Sequence, residues 1–159
     1  RDRHTLPSAV IRVAWIVVAL VAYMATTGGF VAGTHAGLTY NTFPLMGDYV
    51  VPPEIFLMQP WWKNFFYNLA TVQFDHRLGA WILAGLVPWL VWKLRSTATS
   101  PAVRRASLLL IAALAVQITL GITTLLLAVP VTIAVLHQGG AVMLLASSLN
   151  LAHIVTQND

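Results

Sequence analysis

Long apolar segments alternate with short polar ones along the chain, and this pattern predicts helices that cross a membrane. Residues 13–33, 106–129 and 131–155 form three segments that contain no Asp, Glu, Lys or Arg. A helix needs roughly 20 mostly apolar residues to span the hydrocarbon core of a bilayer. Each of these three segments is long enough, and Pro130 separates the last two.

A fourth apolar segment, residues 78–92, is shorter than a membrane crossing requires. Its helix must therefore begin earlier, near Leu69, which puts Asp75, His76 and Arg77 in the first turns. His76 is then roughly 10 Å along the helix, at about 1.5 Å per residue. The predicted fold is an all-α integral membrane protein with a four-transmembrane-helix bundle. We predict helices at about residues 9–33, 69–94, 106–128 and 132–155, in one domain over residues 1–159 with an outer loop at residues 34–68.

The composition supports a membrane protein. Hydrophobic residues make up 58% of the chain and charged residues only 9%, whereas soluble domains carry about 25% charged residues. The net charge of +4 does not indicate nucleic-acid binding, because the basic residues lie at the ends of the apolar segments. The lack of Cys excludes a disulfide framework and Cys-ligated metals. Because the sequence begins at Arg1, we expect a fragment or a processed chain.

Loop charges predict the orientation of the helices. The linker at residues 93–105 contains four basic side chains and no acidic one, and the segment before the first helix also has a basic excess. Because cytoplasmic loops are enriched in Lys and Arg, we expect this linker and both termini on the cytoplasmic or matrix side. The outer loop then lies on the opposite side of the membrane. For its aromatic residues we expect either an interfacial role or packing within the loop: Trp61, Trp62, Phe65, Phe66 and Tyr67.

Two histidines fall at similar depth in two predicted helices that run in the same direction. His76 enters the second helix from the outer side, and His137 lies about 7–8 Å into the fourth helix from that side. Ionisable residues within a membrane are costly and usually face the bundle interior or a cavity. One interpretation is that two neutral imidazoles hold one haem iron between bundle helices. The alternative is that each histidine hydrogen-bonds a neighbouring helix, but the matched depth favours haem.

Small and polar residues follow both histidines. Gly79 and Gly140 each come three residues after a histidine and would leave room for a flat ring. Arg77 and Gln138 come directly after the histidines and would meet haem propionates at the wet edge of the membrane. Zinc and copper are weaker interpretations, because zinc prefers four ligands and only two histidines converge.

Other motifs indicate packing rather than chemistry. Gly29 and Gly33 have the G-x-x-x-G spacing that lets helices approach closely. Gln117, Gly121 and Thr124 share one face of the third helix, which we expect to point into the bundle. We expect solvated or interfacial positions for the remaining histidines, His35, His153 and His4. Of these, His35 lies on the outer side, near the paired histidines.

Three stretches of the sequence resemble a known family. They are "GTHAGLTYNTFPLMGDYVVP", "NFFYNLATVQFDHRLGAW" and "LGITTLLLAVPVTIAVLHQGGAVMLL". They resemble the C-terminal half of haem A synthase, in the Cys-free branch found in proteobacteria and mitochondria. The resemblance covers about residues 28–149, and the strings "YNTFPLMG", "VQFDHRLGA" and "LHQGGA" make it specific.

The resemblance implies an activity and a division of labour. Haem A synthases have eight helices in two duplicated four-helix halves, and they oxidise the C8 methyl of haem O to a formyl group, giving the haem A of terminal oxidases. The C-terminal half holds haem b, here between His76 and His137, and we expect Arg77, Gln138 and Gln73 to contact this cofactor as well. The catalytic Glu of the N-terminal half corresponds to Gln73, which cannot shuttle a proton. This chain would therefore be the cofactor half, and no catalytic residue is assigned in it. Asp75 is the nearest acidic residue, but it points about 100° away from His76 around the helix, so it is not given the role of the Glu.

The resemblance also implies a location and partners. We expect a bacterial or mitochondrial inner-membrane protein that contacts lipid, haem O and haem A, but no nucleic acid. Its protein partners would be the missing N-terminal half or a second copy, together with haem O synthase or oxidase assembly factors. Two other functions stay open at this point: a bis-histidine cytochrome b that transfers electrons or anchors an oxidoreductase, and a haem-free assembly or scaffold protein.

Overall fold

A computed structural model describes residues 6–97 and 100–157, and four long helices account for most of them. The helices are α1 (Ser8–Gly33), the short α2 (Asn64–Tyr67), α3 (Leu69–Ser96), α4 (Pro101–Leu126) and α5 (Val131–Gln157). Single 3-10 turns lie at Ala36–Leu38 and Trp61–Lys63. The long helices α1, α3, α4 and α5 are each long and apolar enough to cross a membrane. The predicted all-α, four-helix membrane bundle is therefore confirmed.

The start of α3 explains how a charged triplet enters an apolar helix. The side chain of Asn68 accepts a hydrogen bond from the backbone N–H of Thr71 (3.0 Å), which caps the helix one residue before Leu69. An Asn at this position satisfies one of the free N–H groups of a helix N-terminus. Asp75, His76 and Arg77 consequently lie in the second and third turns, as the short apolar segment predicted.

The linker between α3 and α4 is shorter than predicted. The sequence suggested a basic loop over residues 93–105, but α3 continues to Ser96 and α4 begins at Pro101. Ser100 caps α4 by accepting a hydrogen bond from the N–H of Val103 (3.4 Å), and Pro101 suits the first helical position. The basic side chains therefore lie in the helix ends rather than in a loop, and the predicted start at residue 106 is wrong.

The helices form a bundle whose core lies at the end that carries the two termini. α1 packs against α3 and α5, and α4 packs chiefly against α5 and less against α3. Fully buried apolar side chains come from all four helices in this region, including Val17, Leu90, Leu110 and Leu151. We call this region the inner half, and the region around the two histidines the outer half.

The outer half is packed less completely. In the described chain, α4 has no buried residue after Leu114, and α5 has none before Leu144. In α1, Thr27 is the one buried residue of the outer half. By contrast, α3 buries residues 70–73 and Gly79 there, so the incomplete burial of the outer half lies chiefly on α4 and α5.

The outer loop is held over the bundle by side-chain amides. Asn41 donates to the carbonyl of Leu125 (2.8 Å), and the fully buried Asn64 donates to the carbonyls of Met58 and Trp61 (2.9 and 2.7 Å). Tyr40 donates to Glu54 (2.7 Å); burial, and then this carboxylate, raises the pKa of Tyr40. Among the five aromatic residues predicted for an interfacial role or for packing in this loop, Phe65 packs against other aromatic rings. The other four are exposed: Trp61, Trp62, Phe66 and Tyr67.

The predicted G-x-x-x-G contact does not form between helices of this bundle. Gly29 and Gly33 are exposed, and a Cβ added at either position would have no described neighbouring group within 4 Å. The close helix contacts occur instead at other glycines, which lie beside the two histidines.

Candidate haem site

The structure brings His76 and His137 together in the outer half of the bundle. The centroids of their imidazole rings are 6.5 Å apart, and the ring planes are nearly perpendicular, at 89°. Both side chains are partly buried. Since α3 and α5 run in the same direction, the two histidines reach the interior from equivalent positions, as the matched depth predicted.

Each imidazole lies against a glycine of the neighbouring helix. A Cβ added to Gly28 of α1 would lie 3.2 Å from Cε1 of His76, and one added to Gly121 of α4 would lie 2.8 Å from Cε1 of His137. Real Cβ atoms essentially never approach closer than 3.0 Å. Glycine at residue 121 is therefore required for the ring of His137 to occupy its place, and glycine at residue 28 leaves little spare room.

The glycines that follow the histidines have a different role from the one predicted. Gly79 packs against Met24, and Gly140 packs against Gln117, so neither leaves the expected open space beside its own histidine. The physical reason is that residues three apart lie on the same helix face, and this face is occupied by a side chain from the adjacent helix.

These contacts repeat in two helix pairs. In α1 and α3, Met24 meets Gly79 and, four residues after Met24, Gly28 meets His76. In α4 and α5, the same spacing recurs, because Gln117 meets Gly140 and Gly121 meets His137. The predicted inward face of α4 is confirmed for Gln117 and Gly121, whereas the hydroxyl of Thr124 donates to the carbonyl of Leu120 in its own helix. Each histidine is thus held by the same local arrangement of two antiparallel helices.

The two imidazoles differ in their hydrogen bonds. Nδ1 of His76 lies 2.9 Å from Oγ1 of Thr27, whose side chain is only 5% exposed. Nδ1 of His137 is buried and has no hydrogen-bond partner within the described chain. Gln117 instead donates to the backbone carbonyl of His137 (3.0 Å), which fixes the helix rather than the ring.

Arg77 and Gln73 both face the outer loop. Arg77 donates to the carbonyls of Tyr40 (2.9 Å) and Leu45 (3.0 Å), and to the side-chain oxygen of Gln73 (3.4 Å). Gln73 is buried and donates to the carbonyls of Ala36 (2.9 Å) and Tyr40 (3.3 Å). These two residues tie the loop to α3. The Nε of Arg77 is buried without a partner in the described residues, so one donor of the guanidinium is free.

The other predicted polar residues are spread around the bundle. Gln138 is exposed on α5, beside His137 in sequence. Asp75 accepts a hydrogen bond from the hydroxyl of Tyr23 of α1 (2.6 Å). His35 is exposed at the outer end of α1, in a left-handed backbone conformation (φ 59°). His153 is exposed and pairs with Gln157 (2.9 Å), while His4 lies outside the described residues.

Sequence reasoning missed Thr27 and Gly28. Both belong to "ATTGG" near the outer end of the first apolar segment, where polar and small residues interrupt an otherwise bulky apolar helix. This interruption lies at the depth of the two histidines, which is the signal that would have identified them. The periodicity of a single helix does not say which neighbouring helix such residues face.

Two histidines are the side chains of ligand type that converge in the outer half. Among the described residues, no group of three or more His, Cys, Asp or Glu side chains is placed to hold a metal ion. Two imidazoles are too few for the four-ligand shell of a structural zinc site. They match the number of axial positions on a haem iron.

Comparison with known proteins agrees with the resemblance found in the sequence. Residues 1–149 match the family COX15-CtaA, described as cytochrome oxidase assembly protein. The chain is 56% identical over 135 residues to a haem A synthase of Nitrosospira multiformis, covering 85% of this chain and 38% of that protein. It is 50% identical over 136 residues to a haem A synthase of Nitrosomonas eutropha, covering 86% and 38%.

A plant relative shows the same likeness. The haem A synthase COX15 of Arabidopsis thaliana is 45% identical over 134 residues, which cover 84% of this chain and 29% of that protein. No solved structure matches. The chain thus spans well under half the length of these curated relatives. From the family match and these identities, the chain belongs to the COX15-CtaA family of cytochrome oxidase assembly proteins, which includes the haem A synthases.

Proposed function

We propose that this chain is the cofactor-binding half of a haem A synthase and that His76 and His137 hold a haem b as its axial ligands. The observation that carries the proposal is the pairing of two imidazoles in the outer half of a membrane bundle, 6.5 Å apart between ring centroids. The relatives at 45–56% identity are named haem A synthases, which supplies the activity.

The residues of the outer half fit a bound haem. Metal–imidazole bonds of about 2.0–2.1 Å would put two imidazoles on opposite sides of one metal ion about 6 Å apart between centroids. Two helices are incompletely packed in the outer half, because in the described chain neither α4 after Leu114 nor α5 before Leu144 contains a buried residue. An apolar plate between bundle helices would complete that packing. The unpartnered Nε of Arg77 is a buried polar group for which a bound haem would provide a reason.

When bound, haem b supplies one-electron redox chemistry, whose potential depends on the axial ligands and on burial. The chain contributes two neutral imidazoles, a hydrocarbon environment and a loop that covers the outer end. Arg77 and Gln73 hold that loop against α3. The free donor of Arg77 and the exposed amide of Gln138 are the groups we assign to the propionates.

Gln73 supports the assignment to the cofactor half. Both hydrogens of its side-chain amide are placed to donate to loop carbonyls, while its oxygen accepts from Arg77. A Glu at this position would lose the two donations and would leave the carbonyls of Ala36 and Tyr40 without this partner. Gln73 therefore stabilises the loop and does not move a proton, so we assign the oxidation of the C8 methyl of haem O to a different half.

The proposal also implies a source for the complementary site, a membrane location and protein partners. The complementary site would come from an N-terminal half or from a second copy of this chain. We place both termini on the cytoplasmic or matrix side of a bacterial or mitochondrial inner membrane, because the basic residues cluster there. Haem O synthase and oxidase assembly factors are the proposed protein partners.

The proposal is tested first by haem content. The purified chain should show a six-coordinate haem b, at about one per chain, in a reduced-minus-oxidised spectrum and a pyridine haemochrome assay. His76→Ala or His137→Ala should remove most of it while the helices still insert. His153→Ala, which changes an exposed histidine, is the matched control. Full haem retention in both ligand variants would contradict the assignment.

A second assay separates haem A synthase from a plain cytochrome b. Haem O should be converted to haem A when the chain is produced together with the N-terminal half of a relative, and the conversion should fail with His76→Ala. Haem binding without any conversion would favour an electron-transfer cytochrome b or a membrane anchor. A haem-free chain would favour an assembly or scaffold protein.

A further inference from the structure

The buried hydroxyl of Thr27 lies against the imidazole of His76. We propose that Thr27 is the positioning residue of His76: its oxygen accepts the Nδ1–H, which fixes the tautomer that presents an unprotonated Nε2 to the haem iron. The inference rests on the proposed function. Thr27 does not touch the reacting group itself, so it acts through His76.

The direction of the hydrogen bond follows from the second contact of Thr27. Its hydroxyl donates to the carbonyl of Met24 at 3.1 Å. A hydroxyl has a single hydrogen and two lone pairs. With the hydrogen directed at Met24, the oxygen can only accept from Nδ1 of His76, 2.9 Å away. Nδ1 then carries the proton, and in a neutral imidazole the lone pair lies on Nε2.

The groups around His76 make the orientation of its imidazole depend on the hydrogen bond to Thr27. Thr27 is buried, so no bulk water is at hand to replace its hydroxyl. Gly28 packs against Cε1 of the same ring, which restricts its rotation from a second side. Histidine ligands usually donate their other ring N–H to a protein acceptor, which orients the ring and raises its basicity. Thr27 is positioned to be that acceptor.

The second histidine shows that the contact is not a by-product of the repeated helix arrangement. Gly121 contacts His137 as Gly28 contacts His76, but the residue before Gly121 is Leu120, where α1 has Thr27. Leucine cannot accept a hydrogen bond, and Nδ1 of His137 has no partner among the described residues. The two ligands are therefore held alike by packing and differently by hydrogen bonding.

The tautomer can be measured without haem. We would label the chain with ¹⁵N-histidine, assign the signals of His76 with His76→Ala, and compare Thr27→Val, which removes the hydroxyl, with Thr27→Ser, which keeps it. Thr26→Val is the matched control, because Thr26 is exposed and its hydroxyl donates to the carbonyl of Ala22 in its own helix. We expect the Nδ1–H form to predominate in the wild type, in Thr27→Ser and in Thr26→Val. In Thr27→Val the ratio of the two tautomers should fall about five- to tenfold.

The haem-loaded protein provides the second readout. Loss of the acceptor makes His76 less basic, so the ferric form should be bound about tenfold less favourably relative to the ferrous form. For a one-electron couple this corresponds to a rise in reduction potential of about 59 mV. Thr27→Val should retain haem and show this rise, while Thr27→Ser and Thr26→Val should resemble the wild type.

The possible failures are distinguishable. A predominant Nε2–H form of His76 in the wild type, or a potential in Thr27→Val equal to that of Thr26→Val, overturns the role of Thr27 even if haem binds. If the Nδ1–H tautomer depends on Thr27 but the chain binds no haem, the proposed function is overturned. The link from Thr27 to iron is then overturned with it.

Discussion

The inner and outer halves of the bundle are built from the same four helices but are packed differently. In the inner half, side chains such as Leu90 and Leu110 are fully buried and interdigitate across the bundle. In the outer half, α4 and α5 bury none of their described side chains, although they are equally helical there. The difference shows that the inner half is held together by its own side chains, and it is the outer half for which we propose a bound haem.

The largest effect should follow from adding volume beside a ligand. Gly121→Val places a branched side chain where a single Cβ would already lie 2.8 Å from Cε1 of His137. The ring must leave its position, and we expect most of the haem to be lost, as measured by the haemochrome assay. Gly85→Val is the control, since among the described residues no neighbouring group lies within 4 Å of a Cβ at that position. Equal haem content in the two variants would contradict the role of Gly121.

Removing volume from the inner half should have a different consequence. Leu90→Ala leaves a cavity in the core, and because the unfolded helices stay in an apolar medium, we expect a cost of about 2 kcal/mol, at the low end for such substitutions. The midpoint of thermal unfolding in detergent should fall while the haem spectrum of the folded protein is unchanged. Leu109→Ala, at a position 59% exposed, should be nearly neutral. A changed haem spectrum in Leu90→Ala would show that the two halves are not independent.

The smallest effect concerns the loop that covers the outer half. Arg77→Gln shortens the side chain and removes the guanidinium contacts with the carbonyls of Tyr40 and Leu45. We expect limited proteolysis to cleave the loop several-fold faster, with only a modest fall in haem content. The control is Arg95→Gln, an exposed position at the end of α3. Complete loss of haem with unchanged proteolysis would instead assign Arg77 to the cofactor alone.

The sequence was sufficient to predict the four helices and the meeting of the two histidines. The hydropathy pattern required α3 to begin before its charged triplet, and depth in the membrane follows directly from position along a helix. The start of α4 was predicted wrongly because Arg104 and Arg105 were assigned to a loop, although Ser100 and Pro101 carry an N-terminal capping signal.

Contacts between helices were harder to predict, because a helix face does not identify its neighbour. Gly29 and Gly33 have a packing motif but are exposed, while Gly28, which has no motif of its own, contacts a candidate ligand. Gly79 and Gly140 were placed on the correct faces with the wrong partners. The hydrogen bond between His76 and Thr27 joins residues that are far apart in sequence, so no local pattern encodes it.

The two glycine contacts have an entropic consequence. Gly28 and Gly121 bring a helix backbone against each imidazole, so the rotation of both rings is restricted before any cofactor arrives. The loss of side-chain entropy that usually accompanies ligand binding, about 0.5–1.5 kcal/mol for each immobilised side chain, is then incurred during folding. For the proposed haem, the bundle would thereby be a rigid receptor, and binding would order the two imidazoles less than it would in a mobile site.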